Sequence, residues 1–359
     1  FAEFMAIKEH FGNQALQKWD DKKAVARDPS ALEKYRILLA EQIQYFKVTQ
    51  YFFFKQWTEL KNYANQKGIQ IIGDMPIYVA ADSVEVWTKP ELFQLDEERN
   101  PLFVAGVPAD QFSATGQLWG NPLYAWEEHK KQGYAWWIHR IEESFKIYDV
   151  LRIDHFKGFS DYWQVDGKAE VAKDGSWQPG PGYDLFKAVK EQLGDLPIIA
   201  EDLGNIDDKA RKLLTDCNYP GMKILQFGFE DVSGESLDSP HYCIPHSIVY
   251  TGTHDNDVTN GWYNSLTEQQ QQYINDYTHR HEDESICQAM IRQLFATVSN
   301  TAIATMQDVL DLPASSRMNV PSTIGGNWQW RMQQSDLTQD KKDFLEKMTT
   351  LYQRANQEK

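Results

Sequence analysis

Charged side chains sit at the ends of apolar runs in three short segments. In Leu151-Arg152-Ile153-Asp154-His155, Arg152 and Asp154 share one face of a predicted strand because strand side chains alternate. A charged pair on an inward face has to be satisfied or functional. A guanidinium beside Asp154 would keep that carboxylate ionised, as a nucleophile requires. A buried ion pair without catalytic work is the alternative for an isolated pair of this kind.

The second segment is Glu201-Asp202, which follows the apolar run at residues 197–200. Apolar surroundings raise the pKa of a carboxyl group. A protonated Glu201 opposite an ionised Asp154 would give the acid and nucleophile that glycoside cleavage uses. The competing interpretation is a helix N-cap followed by a solvated loop, which suits Asp202, with Gly204 easing the turn.

The third segment, Thr253-His254-Asp255-Asn256-Asp257, follows another apolar run. Asp and His side chains hydrogen-bond well to a pair of sugar hydroxyls. They are also metal ligands, but no second His lies four residues on, so sugar binding is the favoured interpretation. Neither a metal nor an organic cofactor is expected.

Composition narrows the class of ligand. The net charge of -16 over 359 residues repels phosphate backbones and argues against nucleic acid, so the substrate should be neutral or cationic. No run of about 18 uncharged apolar residues predicts a membrane span. Most of the 12 Trp, 17 Tyr and 18 Phe belong in the core, yet the Trp count mildly favours a carbohydrate.

The cysteines indicate the redox compartment of the protein, and the first residues indicate whether the natural protein extends before Phe1. Cys217, Cys243 and Cys287 are far apart in sequence, which predicts neither a zinc site nor a disulfide framework and favours the cytoplasm. The start at Phe1 has no signal-peptide pattern and is typical of the middle of an amphipathic helix. We therefore expect the natural protein to extend before Phe1 and to carry two further strands there, which intact-mass measurement would test.

The wider pattern is one of short apolar runs alternating with helical segments. Residues 31–67 are predicted helical with Gly68 as the stop, and Tyr183–Leu193 and 268–299 are further helical patterns. This alternation predicts parallel β/α architecture, with about six strands against the eight of a closed barrel. The predicted strands are residues 69–72, 150–153, 197–200, 222–229, 248–250 and 301–306.

Residues 75–135 interrupt the alternation. They are rich in Pro, Gly, Trp and Asn, which is typical of an inserted subdomain or binding loop. The predicted organisation is therefore residues 1–74 with the first helices and one strand, 75–135 as an insertion on the substrate side, and 136–359 as the remaining catalytic barrel.

These residues resemble the α-amylase superfamily and, within it, the amylomaltase (4-α-glucanotransferase) family. The superfamily places Arg-x-Asp, Glu and His-Asp after its fourth, fifth and seventh barrel strands, and Arg152–Asp154, Glu201 and His254-Asp255 match in type and order. Ala109, Lys157 and Ser322 stand where the family pattern expects Pro, Arg and Gly. The longer matching segments are residues 73–79 with 82–87, 106–113, 116–122, 152–159, 200–204, 251–257 and 317–328.

The resemblance implies a (β/α)8 TIM barrel, here without its N-terminal strands and with the insertion between strands three and four. It implies a transferase moving α-1,4-glucan segments between maltooligosaccharide or starch-like chains by a retaining double displacement. Asp154 would be the nucleophile, Glu201 the acid/base and Asp255 the transition-state stabiliser. The implied substrate contacts are Asp74, Asp110, Trp119, Arg152, His155, Phe227, His254 and Asn327. The alternatives are an α-glucan hydrolase of the same superfamily and a non-catalytic glucan-binding protein.

Overall fold

The computed structural model describes residues 1–109, 115–204 and 206–355. Over these residues the chain divides into two compact units, Phe1–Tyr219 and Pro220–Lys359. Within the described residues, no helix combines the length and apolarity that a membrane crossing needs. Cys217, Cys243 and Cys287 are all unpaired thiols.

The first unit contains seven strands and nine α-helices in its described part. The strands are Ile72–Met75 (β1), Phe103–Val107 (β2), Gln117–Pro122 (β3), Val150–Ile153 (β4), Asp161–Asp166 (β5), Ser176–Pro179 (β6) and Ile198–Ala200 (β7). The helices are Ala2–His10 (α1), Lys22–Val25 (α2), Pro29–Leu38 (α3), Ala40–Gln66 (α4), Val84–Thr88 (α5), Trp126–Lys131 (α6), Ala135–Ile147 (α7), Tyr183–Leu193 (α8) and Asp208–Cys217 (α9).

Two sheets organise this unit. Strands β1, β4 and β7 form a parallel sheet in the order β1-β4-β7, and β3-β2-β5-β6 form an antiparallel sheet. Gly73 in β1 is required by close packing, since a Cβ there would lie 2.0 Å from the Tyr148 ring. The core around the parallel sheet is largely aromatic, with Trp87, Trp137 and Phe159 fully buried.

The second unit holds another three-stranded parallel sheet, in the order β10-β9-β8. Its strands are Gly221–Ile224 (β8), Ser247–Tyr250 (β9) and Thr301–Ile303 (β10). Its helices are Leu225–Glu230 (α10), Thr259–Ser265 (α11), Glu268–Thr278 (α12), Ile286–Ala296 (α13), Met306–Val309 (α14) and Gln339–Leu351 (α15). Phe229, Trp262 and Met290 lie in its separate core.

The α/β class and the six parallel strands agree with the sequence prediction, but no closed barrel is found among the described residues. Helix α8 has the predicted bounds, and Gly68 follows α4 with a φ of +73°. The four-stranded antiparallel sheet was not predicted. It joins strands from within residues 75–135 to strands from residues 161–179. The domain boundary at residue 135 stays a prediction.

Several predicted elements have different bounds. The first strand is Ile72–Met75 rather than 69–72, so Asp74 lies inside it. The run at 222–229 is a strand only to Ile224 and then a helix, because a continuous apolar run has no periodicity that separates the two. The predicted strand at 301–306 ends at Ile303.

Two predicted helices are each split in two. Leu39 separates α3 from α4. Residues 268–299 divide at His279, which adopts a left-handed conformation, and Ser285 starts α13 with a capping box. A left-handed residue ends an α-helix whatever the hydrophobic period of the flanking residues.

Candidate active site

Arg152 joins two carboxylates on the parallel sheet of the first unit. The register of β1 and β4 sets Asp74 directly opposite Arg152. Arg152 Nη1 donates to Asp74 Oδ1 and Oδ2 at 2.7 and 2.8 Å and to Asp154 Oδ1 at 2.9 Å. Burial alone would lower the pKa of Arg152, but the charges of Asp74 and Asp154 outweigh it and raise that pKa. The predicted shared face of Arg152 and Asp154 is therefore present.

Asp154 and Glu201 leave adjacent strands at the same level. Ile153 and Ala200 are register partners in β4 and β7, and the Glu201 N–H donates to the Ile153 carbonyl at 3.0 Å. The next residue of each chain segment carries a carboxyl group. The parallel sheet thus brings the two predicted catalytic side chains to one edge.

The carboxyl group of Glu201 is held by backbone amides. The His155 N–H donates to its Oε2 at 2.8 Å and the Leu203 N–H to its Oε1 at 2.7 Å. Burial, followed by the charge of Asp154, raises the pKa of Glu201 to about 7, although Arg152 and the two amides act in the opposite direction. Near neutral pH Glu201 can therefore both give and take a proton.

His155 connects this carboxyl group to an aromatic side chain. Its backbone is left-handed, with φ 50° and ψ 49°, which directs its N–H at Glu201. Its ring meets Trp119 edge-on, with the ring centroids 4.8 Å apart. Burial lowers the pKa of His155 to about 4, so the imidazole is neutral at pH 7.

Trp119 lies on β3 and remains partly open to solvent. Its side chain is 37% exposed, and its ring is 6.2 Å from that of Tyr78. An indole with a free face can stack on a sugar ring. Asp110, the other predicted residue of this loop, lies outside the described residues.

In the second unit, His254 and Asp255 lie on the loop between β9 and α11. His254 Nε2 is 3.4 Å from Asp255 Oδ2. The carboxylate of Asp255 is also held by Asn319, whose Nδ2 donates to Oδ1 at 2.6 Å, and Arg317 donates to the Asp255 carbonyl at 2.6 Å. About half of the Asp255 side chain stays exposed, so the carboxylate can reach a ligand.

Arg317 and Asn319 belong to the matching segment at residues 317–328 but are not among the predicted site residues. The motif was the available signal, since 62 and 64 residues separate these side chains from Asp255. Trp328 ends the same segment, and its ring lies 5.0 Å from that of His254. The second unit therefore surrounds His254 and Asp255 with three residues from a single later segment.

Two predicted substrate contacts have other partners in the structure. Asn327 accepts from the Val320 N–H at 3.0 Å and donates to Thr323 Oγ1 at 3.1 Å, so its amide braces the loop at 320–327. Phe227 lies half-buried in α10. Their role with substrate stays a prediction. In the same loop Ser322 has a φ of +64°, which accounts for the Gly that the family pattern expects there.

Among the described residues, no group of three or more metal-type ligands includes His254. In the described part of the chain, the cluster whose ligand atoms lie close together is His139, Glu142 and Glu143 on the exposed surface of α7. Exposed acidic groups of this kind are common without an ion.

A carboxyl group that exchanges its proton near neutrality, beside a carboxyl group paired with arginine, is the arrangement used by enzymes that break or transfer glycosidic bonds. Comparison with known proteins narrows this class. Residues 1–338 match the 4-alpha-glucanotransferase family. The chain therefore belongs to the 4-alpha-glucanotransferase family and is a glycosyltransferase that acts on α-glucans.

Individual relatives support the same family assignment. The 4-alpha-glucanotransferase of Streptococcus pneumoniae is 53% identical over 358 residues, which are 99% of this chain and 71% of that protein. That of Clostridium butyricum is 42% identical, with coverage of 99% and 73%. A solved amylomaltase from Streptococcus agalactiae in complex with acarbose is 61% identical, with a TM-score of 0.98 over 99% of this chain and 72% of that one.

Proposed function

We propose that the chain moves α-1,4-glucan segments by a retaining double displacement in which Asp154 is the nucleophile and Glu201 the acid/base. The observation that carries this proposal is the Glu201 carboxyl group, whose pKa of about 7 is set partly by Asp154 on the adjacent strand. The amylomaltase of Streptococcus agalactiae was solved in complex with acarbose, which supports an α-glucan or maltooligosaccharide as the substrate here.

In the first half-reaction, an Asp154 oxygen attacks the anomeric carbon. The bond from that carbon to the leaving oxygen breaks, and Glu201 gives its proton to that oxygen. Arg152 donates to Asp154 Oδ1 and orients this carboxyl group for the attack. The products are a released glucan end and a glycosyl ester on Asp154.

The second half-reaction reverses these roles. Once Asp154 is an ester it carries no charge, so one of the causes that raise the pKa of Glu201 is gone. Glu201 then favours the ionised form and can take the proton of an acceptor hydroxyl as that oxygen attacks the anomeric carbon. The ester bond breaks and the Asp154 carboxylate is restored.

The remaining site residues are proposed to hold the sugars. His254 and Asp255 would bind hydroxyls of the sugar being cleaved and stabilise the oxocarbenium-like transition state. Asp74 would bind the same sugar. Trp119, which packs against His155 and therefore next to the Glu201 amide contact, would form the acceptor side.

We also propose that the six parallel strands belong to a (β/α)8 barrel. Asp154, Glu201 and His254-Asp255 all follow the carboxyl ends of parallel strands, as catalytic residues of such barrels do. The barrel assignment is supported by this placement alone.

The decisive experiment is incubation with maltotriose. A transferase gives a ladder of longer and shorter maltooligosaccharides, whereas a hydrolase gives glucose and maltose without a ladder, and a binding protein gives no products.

Asp154→Ala, Glu201→Gln and Asp255→Asn should each lower kcat by about 1000-fold or more while circular dichroism stays unchanged. A folded variant with near-normal turnover would show that its residue has a different role.

A further inference from the structure

Asp308 is a buried carboxylate in the second unit that has no part in the chemistry described above. It lies in α14, directly after β10, and only 2% of its surface is exposed. Thr251 Oγ1 donates to its Oδ2 at 2.6 Å, and the Thr259 N–H donates to its Oδ1 at 2.9 Å. Both oxygens are therefore engaged by donors from elsewhere in the fold.

The two donors mark the ends of one loop. Thr251 follows β9 directly, and Thr259 is the first residue of α11. The residues between them include His254 and Asp255. A single carboxylate thus bridges the points where this loop leaves the strand and enters the helix.

The interior of the loop has hydrogen bonds of its own. Gln226 donates to the Asp257 carbonyl at 2.9 Å, and Asn256 Oδ1 accepts from the Thr253 N–H at 2.9 Å. Arg317 and Asn319 also hold Asp255 inside the loop, whereas Asp308 holds its two ends, so loss of Asp308 would release both ends while the interior contacts remain. Loss of the carboxylate would also leave the buried Thr259 N–H without its acceptor.

We propose that Asp308 is a positioning residue for glucan transfer, which holds the two ends of the 251–259 loop at the separation that places His254 and Asp255 against the sugar. The inference rests on the proposed function, in which those two side chains bind sugar hydroxyls in the transition state. Asp308 itself touches no substrate.

The test compares three variants. Asp308→Ala removes both acceptors and should lower kcat for maltotriose disproportionation by about 100-fold with KM changed by no more than about threefold, because a misplacement of about 1 Å costs that much. Asp308→Asn keeps an oxygen for the Thr259 N–H and offers an amide to Thr251 Oγ1, so it should recover most of the loss. Thr251→Val removes one of the two hydrogen bonds, so its kcat should lie between those of Asp308→Ala and Asp308→Asn.

A matched control separates positioning from stability. Glu284 is a second carboxylate of this unit with little exposure, and it accepts from Arg292 Nε at 2.8 Å and from Nη2 at 2.7 Å. Glu284→Gln should lower Tm and leave kcat unchanged. If it lowers kcat as much as Asp308→Ala at equal loss of Tm, the effect is one of stability and the proposal is overturned.

A double variant gives a measurement that a purely structural role of Asp308 would not change. If Asp308 acts through the loop, Asp308→Ala should change kcat by no more than about threefold in an Asp255→Asn background, since residues that act as a unit are not additive. A full 100-fold loss in that background would overturn the proposal. So would normal kcat in folded Asp308→Ala or, if that variant does not fold, in Thr251→Val. Near-normal turnover of Asp255→Asn itself would instead overturn the role of Asp255 in the proposed function.

Discussion

Asp154 and Glu201 both carry a carboxyl group, but different neighbouring groups surround the two side chains. Arg152 Nη1 donates to Asp154 Oδ1 at 2.9 Å and places a guanidinium beside that carboxyl group. Glu201 receives two backbone amides instead, and burial with the nearby charge of Asp154 still raises its pKa to about 7. In the proposed mechanism, the division into nucleophile and acid/base is therefore made by neighbouring groups and not by the side chains themselves.

This electrostatic coupling predicts the pH dependence. In the proposed mechanism Glu201 has to be protonated to start the reaction, so kcat/KM should fall as the pH rises through about 7. Asp154→Asn removes a charge that raises the pKa of Glu201, so that pKa should fall. Titration of ¹³C-labelled glutamate by NMR would measure it, and an unchanged pKa in Asp154→Asn would contradict the coupling.

The same shift has a consequence for stability. The pKa of Glu201 in the folded chain lies above its ordinary value of 4.5, so between these values the folded chain holds a proton that the unfolded chain has released. The contribution of Glu201 to the free energy of unfolding is therefore full below pH 4.5 and is lost as the pH rises through about 7. Glu201→Gln should remove this decline in urea unfolding curves.

Strand β3 is the element that brings the antiparallel sheet next to His155 in the first unit. Trp119 on this strand contacts the ring of His155, and the His155 backbone contacts Glu201. An aromatic platform on a paired strand keeps its position better than one on a loop. The sheet thus supports the proposed sugar-binding surface beside Glu201.

We expect Trp119→Ala to raise the share of hydrolysis relative to transfer, because loss of the stacking surface weakens acceptor binding and leaves water to compete for the ester. The ratio of released glucose to the maltooligosaccharide ladder measures this. Trp177 on β6 of the same sheet is 44% exposed and is a matched control, so Trp177→Ala should leave the ratio unchanged. A ratio equal to wild type in Trp119→Ala would remove Trp119 from the acceptor side.

The stability of helix α13 depends on the capping box at its first turn. Ser285 Oγ accepts from the Gln288 N–H at 3.2 Å, and Gln288 Oε1 accepts from the Ser285 N–H at 3.3 Å. Ser285→Ala should lower the free energy of unfolding by about 1 kcal/mol, the usual cost of losing such a cap. Urea titration would measure it against the exposed Ser335→Ala, for which a change within about 0.5 kcal/mol is expected.

On the scale of the whole molecule, acidic residues outnumber basic ones by 52 to 36. A neutral glucan is not steered by this charge, whereas the charge acts on the chain itself through self-repulsion. We therefore expect KM for maltotriose to change by no more than about twofold between about 0.05 and 0.5 M NaCl, since screening acts on charged pairs.

Over the same range of NaCl, Tm should rise because added salt screens the repulsion among the acidic side chains. Initial rates and thermal unfolding curves at matched salt concentrations would measure the two effects. A steep dependence of KM on salt would show that the substrate meets a charged surface after all.

The sequence by itself determined the features that depend on near neighbours along the chain. Alternation in β4 placed Arg152 and Asp154 on one face, and the helical period set the bounds of α8. The order of the charged motifs also indicated an enzyme acting on α-glucans, which the family match confirms. Such features are visible because strand and helix periods repeat within a few residues.

Only the tertiary structure decided contacts between distant segments. The amide of His155 reaches Glu201 across 46 residues, and Asn319 reaches Asp255 across 64. The antiparallel sheet likewise pairs β2 with β5, which belong to different parts of the predicted organisation. Hydrogen bonds and burial set the pKa of Glu201, and neither has a period in the sequence, because both depend on which distant residues the fold brings together.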